Sequence, residues 1–178
     1  MKQVSKQVKM NVGIKKLHKD VVIPSYAHDT DCGMDLTAVS KTFDEYGNVV
    51  YGFGLAFEIP EGYAGFIFPR SSNHKSGLLL TNCVGIVDSG YRGEVTAKFA
   101  SRNYEQKIIY KAIDGDRWNA GTQREVVVAP KFVETDNYNV GDRVAQLVIL
   151  PYPKVTFVEK DELSDTDRGE GGYGSTGK

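Results

Sequence analysis

The apolar residues of this chain fall in short runs, and no stretch carries a 3.6-residue period long enough for a major helix. Val8, Met10, Val12 and Ile14 alternate with polar or small residues, the pattern of a half-buried strand. Val49–Ile59, Gly65–Pro69, Ile86–Val87, Val95–Phe99, Val126–Val128 and Val144–Leu150 continue it with aromatic and β-branched residues. Glycine, proline, asparagine or aspartate separates most of these runs, as at Pro60-Glu61-Gly62. Such punctuation predicts an all-β sandwich or barrel. One short helix is expected near Asn73–Leu78, where a polar turn leads into Gly77.

A chain of 178 residues is long enough for one domain with a real core and short for two. Its formal net charge of −1 argues against capture of nucleic acid, which normally needs a basic excess. Cys32 and Cys83 could form at most one bridge, and their spacing suggests no disulfide framework. Two reduced thiols in a cytoplasmic protein is the simpler reading. The first nine residues are mostly polar and carry lysines, with no long apolar run behind them, and no run approaches the roughly 20 apolar residues of a membrane span. The expectation is a soluble cytoplasmic protein with no membrane partner.

Two segments break the β rhythm. Residues 103–123 mix charges, Trp118 and glycines, and read as an inserted hairpin or a long surface loop, often functional in compact domains. From Glu159 the chain turns acidic and polar, and its last eleven residues include five glycines, too little to fold alone. The expected domain therefore spans 1–158, followed by a flexible arm at 159–178.

Chemistry concentrates at Arg70-Ser71-Ser72 and in the stretch from Asn82 to Glu94. A cation, hydroxyls, an amide, a carboxylate and a phenol stand there among residues that otherwise read as buried strand. Polar groups are costly to bury unless paired or used, so a charged, hydrogen-bonding ligand such as a nucleotide fits. Arg70 would clamp a phosphate oxygen; a strand-end turn with a solvent-facing arginine is the plainer alternative. Asp88 follows Val87 at a strand end, where a carboxylate can take a proton from water. An aspartate before Ser89-Gly90 is also an ordinary turn former.

The glycine-rich tail can turn several N–H groups toward one anion, with Arg168, Ser175 and Thr176 adding donors and Tyr173 a flat face for a base. A frayed terminus is the alternative. Asp29, Asp31 and Asp35 lack the spacing of a calcium loop, and His18, His28 and His74 lack a zinc cadence. No metal cage built from protein groups is expected.

In order, five blocks resemble the trimeric dUTPase family, the deoxyuridine triphosphate nucleotidohydrolases. They are Asp31-Cys32-Gly33-Met34-Asp35-Leu36, Pro69-Arg70-Ser71-Ser72 through Gly77-Leu78, Asn82 through Glu94, Gly141-Asp142-Arg143-Val144-Ala145-Gln146-Leu147, and Arg168-Gly169 to Gly177. The resemblance implies a jelly-roll subunit in a homotrimer, with each active site assembled from three chains. It implies hydrolysis of dUTP to dUMP and pyrophosphate, with Mg²⁺ carried on the triphosphate. Asp88 would activate water for in-line attack on the α-phosphorus. Asn82 would help read uracil, and Tyr91 would pack beneath the deoxyribose and exclude a 2′-hydroxyl. Arg70, Ser71 and Gln146 would meet the phosphates or their ordered water, and Asp35 would hold water around the metal. Ser72, Gly85 and Val87 would line the substrate. Arg168, Tyr173, Gly174, Ser175 and Thr176 would close over it.

Tyr173 stands where the family usually has phenylalanine, a change that preserves a stacking face. Residues 103–131 exceed the family's common connection between the third and fourth blocks. Extra segments here occur in some phage members and contact other proteins, so the resemblance leaves a protein partner open through 103–123. Two rivals remain. A dCTP deaminase, or a bifunctional deaminase–dUTPase, shares the fold but carries a catalytic glutamate further along the third block, where this chain has Glu94. A regulatory module gated by nucleotide would use the 103–123 segment as its contact surface.

Overall fold

The computed structural model describes residues 9–100 and 138–172, and the backbone alone of 101, 104–111 and 125–132. The described strands are β1 (Gly13–Lys16), β2 (Met34–Thr37), β3 (Ser40–Phe43), β4 (Val49–Gly52), β5 (Leu55–Glu58) and β6 (Tyr63–Pro69). After them come β7 (Leu78–Leu80), β8 (Gly85–Val87), β9 (Thr96–Ser101), β10 (Tyr104–Lys111), β11 (Glu125–Phe132) and β12 (Arg143–Pro151). One four-stranded sheet has the order β2-β12-β6-β8 and the other β3-β4-β9-β7, with every pairing antiparallel. Leu36, Ile67, Val87, Val144 and Leu147 from the first sheet share one core with Val49, Tyr51, Leu78, Ala97 and Phe99 from the second. This is the expected all-β jelly roll.

Local physics explains where expectation and structure part. The run Val49–Ile59 is two strands, β4 and β5, broken at a corner of buried glycines. Gly54 sits there at φ +62, and a Cβ would meet the side chains of Val21, His18 and Val39 at 2.7–2.9 Å. Only glycine combines that left-handed backbone with so little room. The Glu94 carboxylate locks the corner by accepting the Gly54 N–H at 2.8 Å.

The short helix is a 3-10 helix at Ser71–Lys75, starting two residues earlier than expected, and Leu78 belongs to β7. Buried Asn73 decides this: its amide donates to the Leu78 carbonyl at 2.9 Å and its own oxygens accept the Ser76 hydroxyl, which ties the turn off. In β12 both Val144 and Ala145 are buried, against the alternation of a regular strand. A register shift against β2 between Arg143 and Ala145 accounts for it, since a bulge turns two neighbouring residues inward.

β10 and β11 form a hairpin of eight paired positions, the hairpin reading of the inserted segment, with its second strand reaching Phe132. The residues between, 112–124, lie outside the described chain. Among the described residues no helix is long and apolar enough to cross a membrane.

Candidate active site

Two clusters of the expected residues form, at different ends of one sheet. The first is built around Asp35 on β2. Register places Asp35 opposite Gln146 on β12, and Gln146 opposite Phe68 on β6, two residues before Arg70. Arg70 Nε donates to Asp35 Oδ1 at 2.9 Å, and Arg143 Nη1 donates to Asp35 Oδ2 at 3.0 Å. The Asp35 and Arg70 side chains are only 16% and 22% exposed, whereas that of Arg143 is 58% exposed. Arg70 Nη1 also reaches the Ser72 hydroxyl and the Arg143 carbonyl, each at 3.4 Å. Ser71 is exposed at the start of the 3-10 helix. Two cations on one carboxylate leave a net positive cluster beside the Ser71 hydroxyl, which suits a polyphosphate.

The second cluster is the run from Asn82 to Tyr91. Gly85 and Val87 pair with Ile67 and Gly65 of β6, and among the described residues β8 is the last strand of its sheet, its other backbone edge unpaired. An added Cβ on Gly85 would lie 3.2 Å from Ile67 Cβ, tight against β6. Cys83 takes φ 59 in the turn that leads in, and Asn82 is exposed. Asp88 follows β8, exposed, and its carboxylate has no hydrogen-bond or ionic partner among the described residues. Its carbonyl accepts the Tyr91 N–H at 3.0 Å.

Tyr91 is held rigidly. Its hydroxyl donates to the Glu94 carbonyl at 3.0 Å, and a Cβ on Gly93 would lie 2.6 Å from its Cζ. The ring therefore needs glycine two residues on. Arg92 turns the other way, donating to the carbonyls of Ser89 at 2.6 Å and Tyr91 at 3.0 Å. It braces the turn that carries Asp88.

Within one chain Asp88 lies apart from the Arg70 cluster. Val87 pairs with Gly65, so Asp88 stands level with Ala64, six residues back along β6 from Arg70. At the rise of a strand, six residues separate Asp88 from Arg70 by about 20 Å. In the arm, Arg168 Nε donates to the Gly171 carbonyl at 3.1 Å and the residue is exposed. Tyr173, Gly174, Ser175 and Thr176 lie outside the described residues.

Arg143 is a charged member of this cluster that sequence reasoning did not single out. It stands in the fourth block, but only the β2–β12 pairing reveals that it shares Asp35 with Arg70. Glu94, the residue that kept a deaminase open, is engaged with the Gly54 N–H instead.

Among the described residues no group of three or more His, Cys, Asp or Glu is placed to hold a metal. The donor chemistry at Asp35 suits an outer-sphere role. Each of its oxygens holds one arginine N–H and keeps a second lone pair for a metal-bound water.

The dUTPase family model matches residues 19–117 and 107–177, two pieces that overlap inside the 103–131 segment. The chain is 35% identical over 170 residues to the deoxyuridine 5'-triphosphate nucleotidohydrolase of Thermobifida fusca, covering 94% of this chain and 79% of that one. To the enzyme of that name from Alkaliphilus metalliredigens it is 34% identical over 169 residues, covering 94% and 97%. Its structure is similar to the Staphylococcus bacteriophage 80alpha dUTPase with dUPNHPP, at TM-score 0.71 and 28% identity, covering 96% of this chain and 100% of that one.

Proposed function

The chain belongs to the dUTPase family and is a dUTP-hydrolysing enzyme, and from that premise we propose how its residues divide the work. Asp88 is the general base, taking a proton from the water that attacks the α-phosphorus in line with the departing pyrophosphate. The observation that carries this is its carboxylate, exposed and unpartnered among the described residues, one step beyond the bare edge of β8. That edge, with Gly85, Val87 and the Asn82 amide, reads uracil. Tyr91 forms the wall under the deoxyribose, too rigid to admit a 2′-hydroxyl.

Arg70, Ser71, Ser72 and Gln146 bind the phosphates. Mg²⁺ bound to the triphosphate would neutralise charge on the leaving pyrophosphate, held to the protein through water on Asp35. Arg168, Tyr173, Gly174, Ser175 and Thr176 form the closing lid, with 159–178 as the arm that carries it. The product dUMP is a thymidylate precursor, and removal of dUTP limits uracil in DNA.

A homotrimer with shared sites accounts for two observations. Asp88 and Arg70 stand about 20 Å apart along β6 in one chain, and copies that complement each other would let both serve one dUTP. The exit segment after β12 is exposed throughout and apolar in part, with Phe157 at 94% and Leu163 at 84%. Exposed apolar surface of this kind marks a contact with another chain.

Pyrophosphate release from dUTP in Mg²⁺, repeated in EDTA, tests the reading. Turnover lost in EDTA and restored by Mg²⁺ is expected; full turnover in EDTA would remove the metal from the scheme.

The 103–123 segment serves a protein partner rather than catalysis, since no expected site residue falls within it. Its deletion is expected to leave hydrolysis within about twofold, the scale of surface changes away from a site. Loss of the trimer in the deletion variant would make the segment structural instead.

A further inference from the structure

An arginine beside a carboxylate normally closes a two-point fork, two parallel N–H···O bonds that use both oxygens. Arg70 does not do so here: Arg143 donates to Asp35 Oδ2 instead. Arg70 is left with one short bond, from Nε to Oδ1 at 2.9 Å, and two long ones from Nη1 at 3.4 Å. Long hydrogen bonds are weak and easily exchanged for a better acceptor. The Nη edge of Arg70 is thus oriented but uncommitted.

The chain builds this arrangement at some effort. Gly141 takes φ +94 in a turn where Asp142 Oδ2 accepts the Asn139 N–H at 2.7 Å. The bulge follows between Arg143 and Ala145, and bulges re-aim side chains. Arg143 then touches Arg70 twice, through Asp35 and through its own carbonyl.

We propose that Arg143 is a positioning residue that keeps Arg70 available to the substrate's phosphates. It acts by occupying one oxygen of Asp35. This inference rests on the dUTP reading above and adds to it a residue with no phosphate role of its own. Without Arg143, Arg70 folds back onto both oxygens of Asp35.

The test is binding of the imido analogue dUpNHpp, with deoxyuridine as a probe that has no phosphate. Arg143→Gln is expected to weaken dUpNHpp about tenfold, one charge-assisted hydrogen bond's worth, and to leave deoxyuridine unchanged. Arg143→Lys, which still fills Oδ2 and keeps the charge, is expected within about threefold of wild type on the same scale. In an Arg70→Ala background, Arg143→Gln should cost less than about twofold further, because coupled residues are not additive.

A full loss in both backgrounds would make Arg143 an independent contact and overturn the positioning role. Equal dUpNHpp affinity in Arg143→Gln and wild type would do the same, as would parallel loss of deoxyuridine. Should Arg143→Gln fail to fold, a tenfold loss in Arg143→Lys overturns the inference. Wild type that ignores dUpNHpp altogether would instead sink the dUTP reading on which it stands.

Discussion

Asp88→Asn is expected to bind dUpNHpp as wild type does, yet to release pyrophosphate from dUTP at least ~10²-fold more slowly, the usual scale of a general base. The substitution is close to ideal for separating chemistry from structure. Asp88 is exposed, contributes its carbonyl to the turn that ends at Tyr91, and has no side-chain partner among the described residues. Asparagine forms such turns as readily as aspartate and keeps the same volume. What it loses is the ability to accept a proton from water. Normal binding with slow turnover therefore isolates the proton transfer. Turnover within a few-fold of wild type would remove Asp88 from its role and require another base.

The second large effect is in base choice. Turnover of dCTP is expected to fall ~10⁴ below dUTP in kcat/KM, the scale seen when a site built to hydrogen-bond loses its partners. Uracil presents an N3 donor and an O4 acceptor, whereas cytosine reverses both. Asn82 alone could not enforce the difference, because an amide side chain can flip and exchange its donor for its acceptor. The backbone edge of β8 cannot flip. Its opposite edge is committed to β6 through Gly85 and Val87, which fixes where each N–H and C=O points. Parallel measurement of pyrophosphate and ammonia from dCTP decides the matter. Discrimination below about tenfold would mean that the base is not read by the strand, and ammonia release would revive the deaminase reading.

Much of the fold was legible because strands announce themselves by alternation and turn residues. Gly65–Pro69, Val95–Phe99 and Val144–Leu150 all became strands with modest changes at their ends. β2 and β3 did not announce themselves. Met34–Thr37 is half-buried without alternation, and Ser40–Phe43 is largely exposed, so neither carries a periodic signal. The corner at Gly54 was hidden for a different reason. Its necessity lies in Val21, His18 and Val39, which are distant in sequence and adjacent only in space.

The sequence by itself determined the class of fold and the family, through residue types in a fixed order that local chemistry makes hard to vary: Gly85 beside Ile67, Gly93 under the Tyr91 ring, Asp88 at a strand end. Only the tertiary structure decided which of those residues meet. It joined Asp35, Arg70 and Arg143, which are separated by 35 and 73 residues, into one ionic cluster. It also set Asp88 about 20 Å from Arg70 along β6, although the two are near in sequence. The physical reason is strand register. Pairing between strands is fixed by the burial pattern of whole sheets, and a shift of one residue would turn every core side chain to solvent. No local stretch of sequence carries that information.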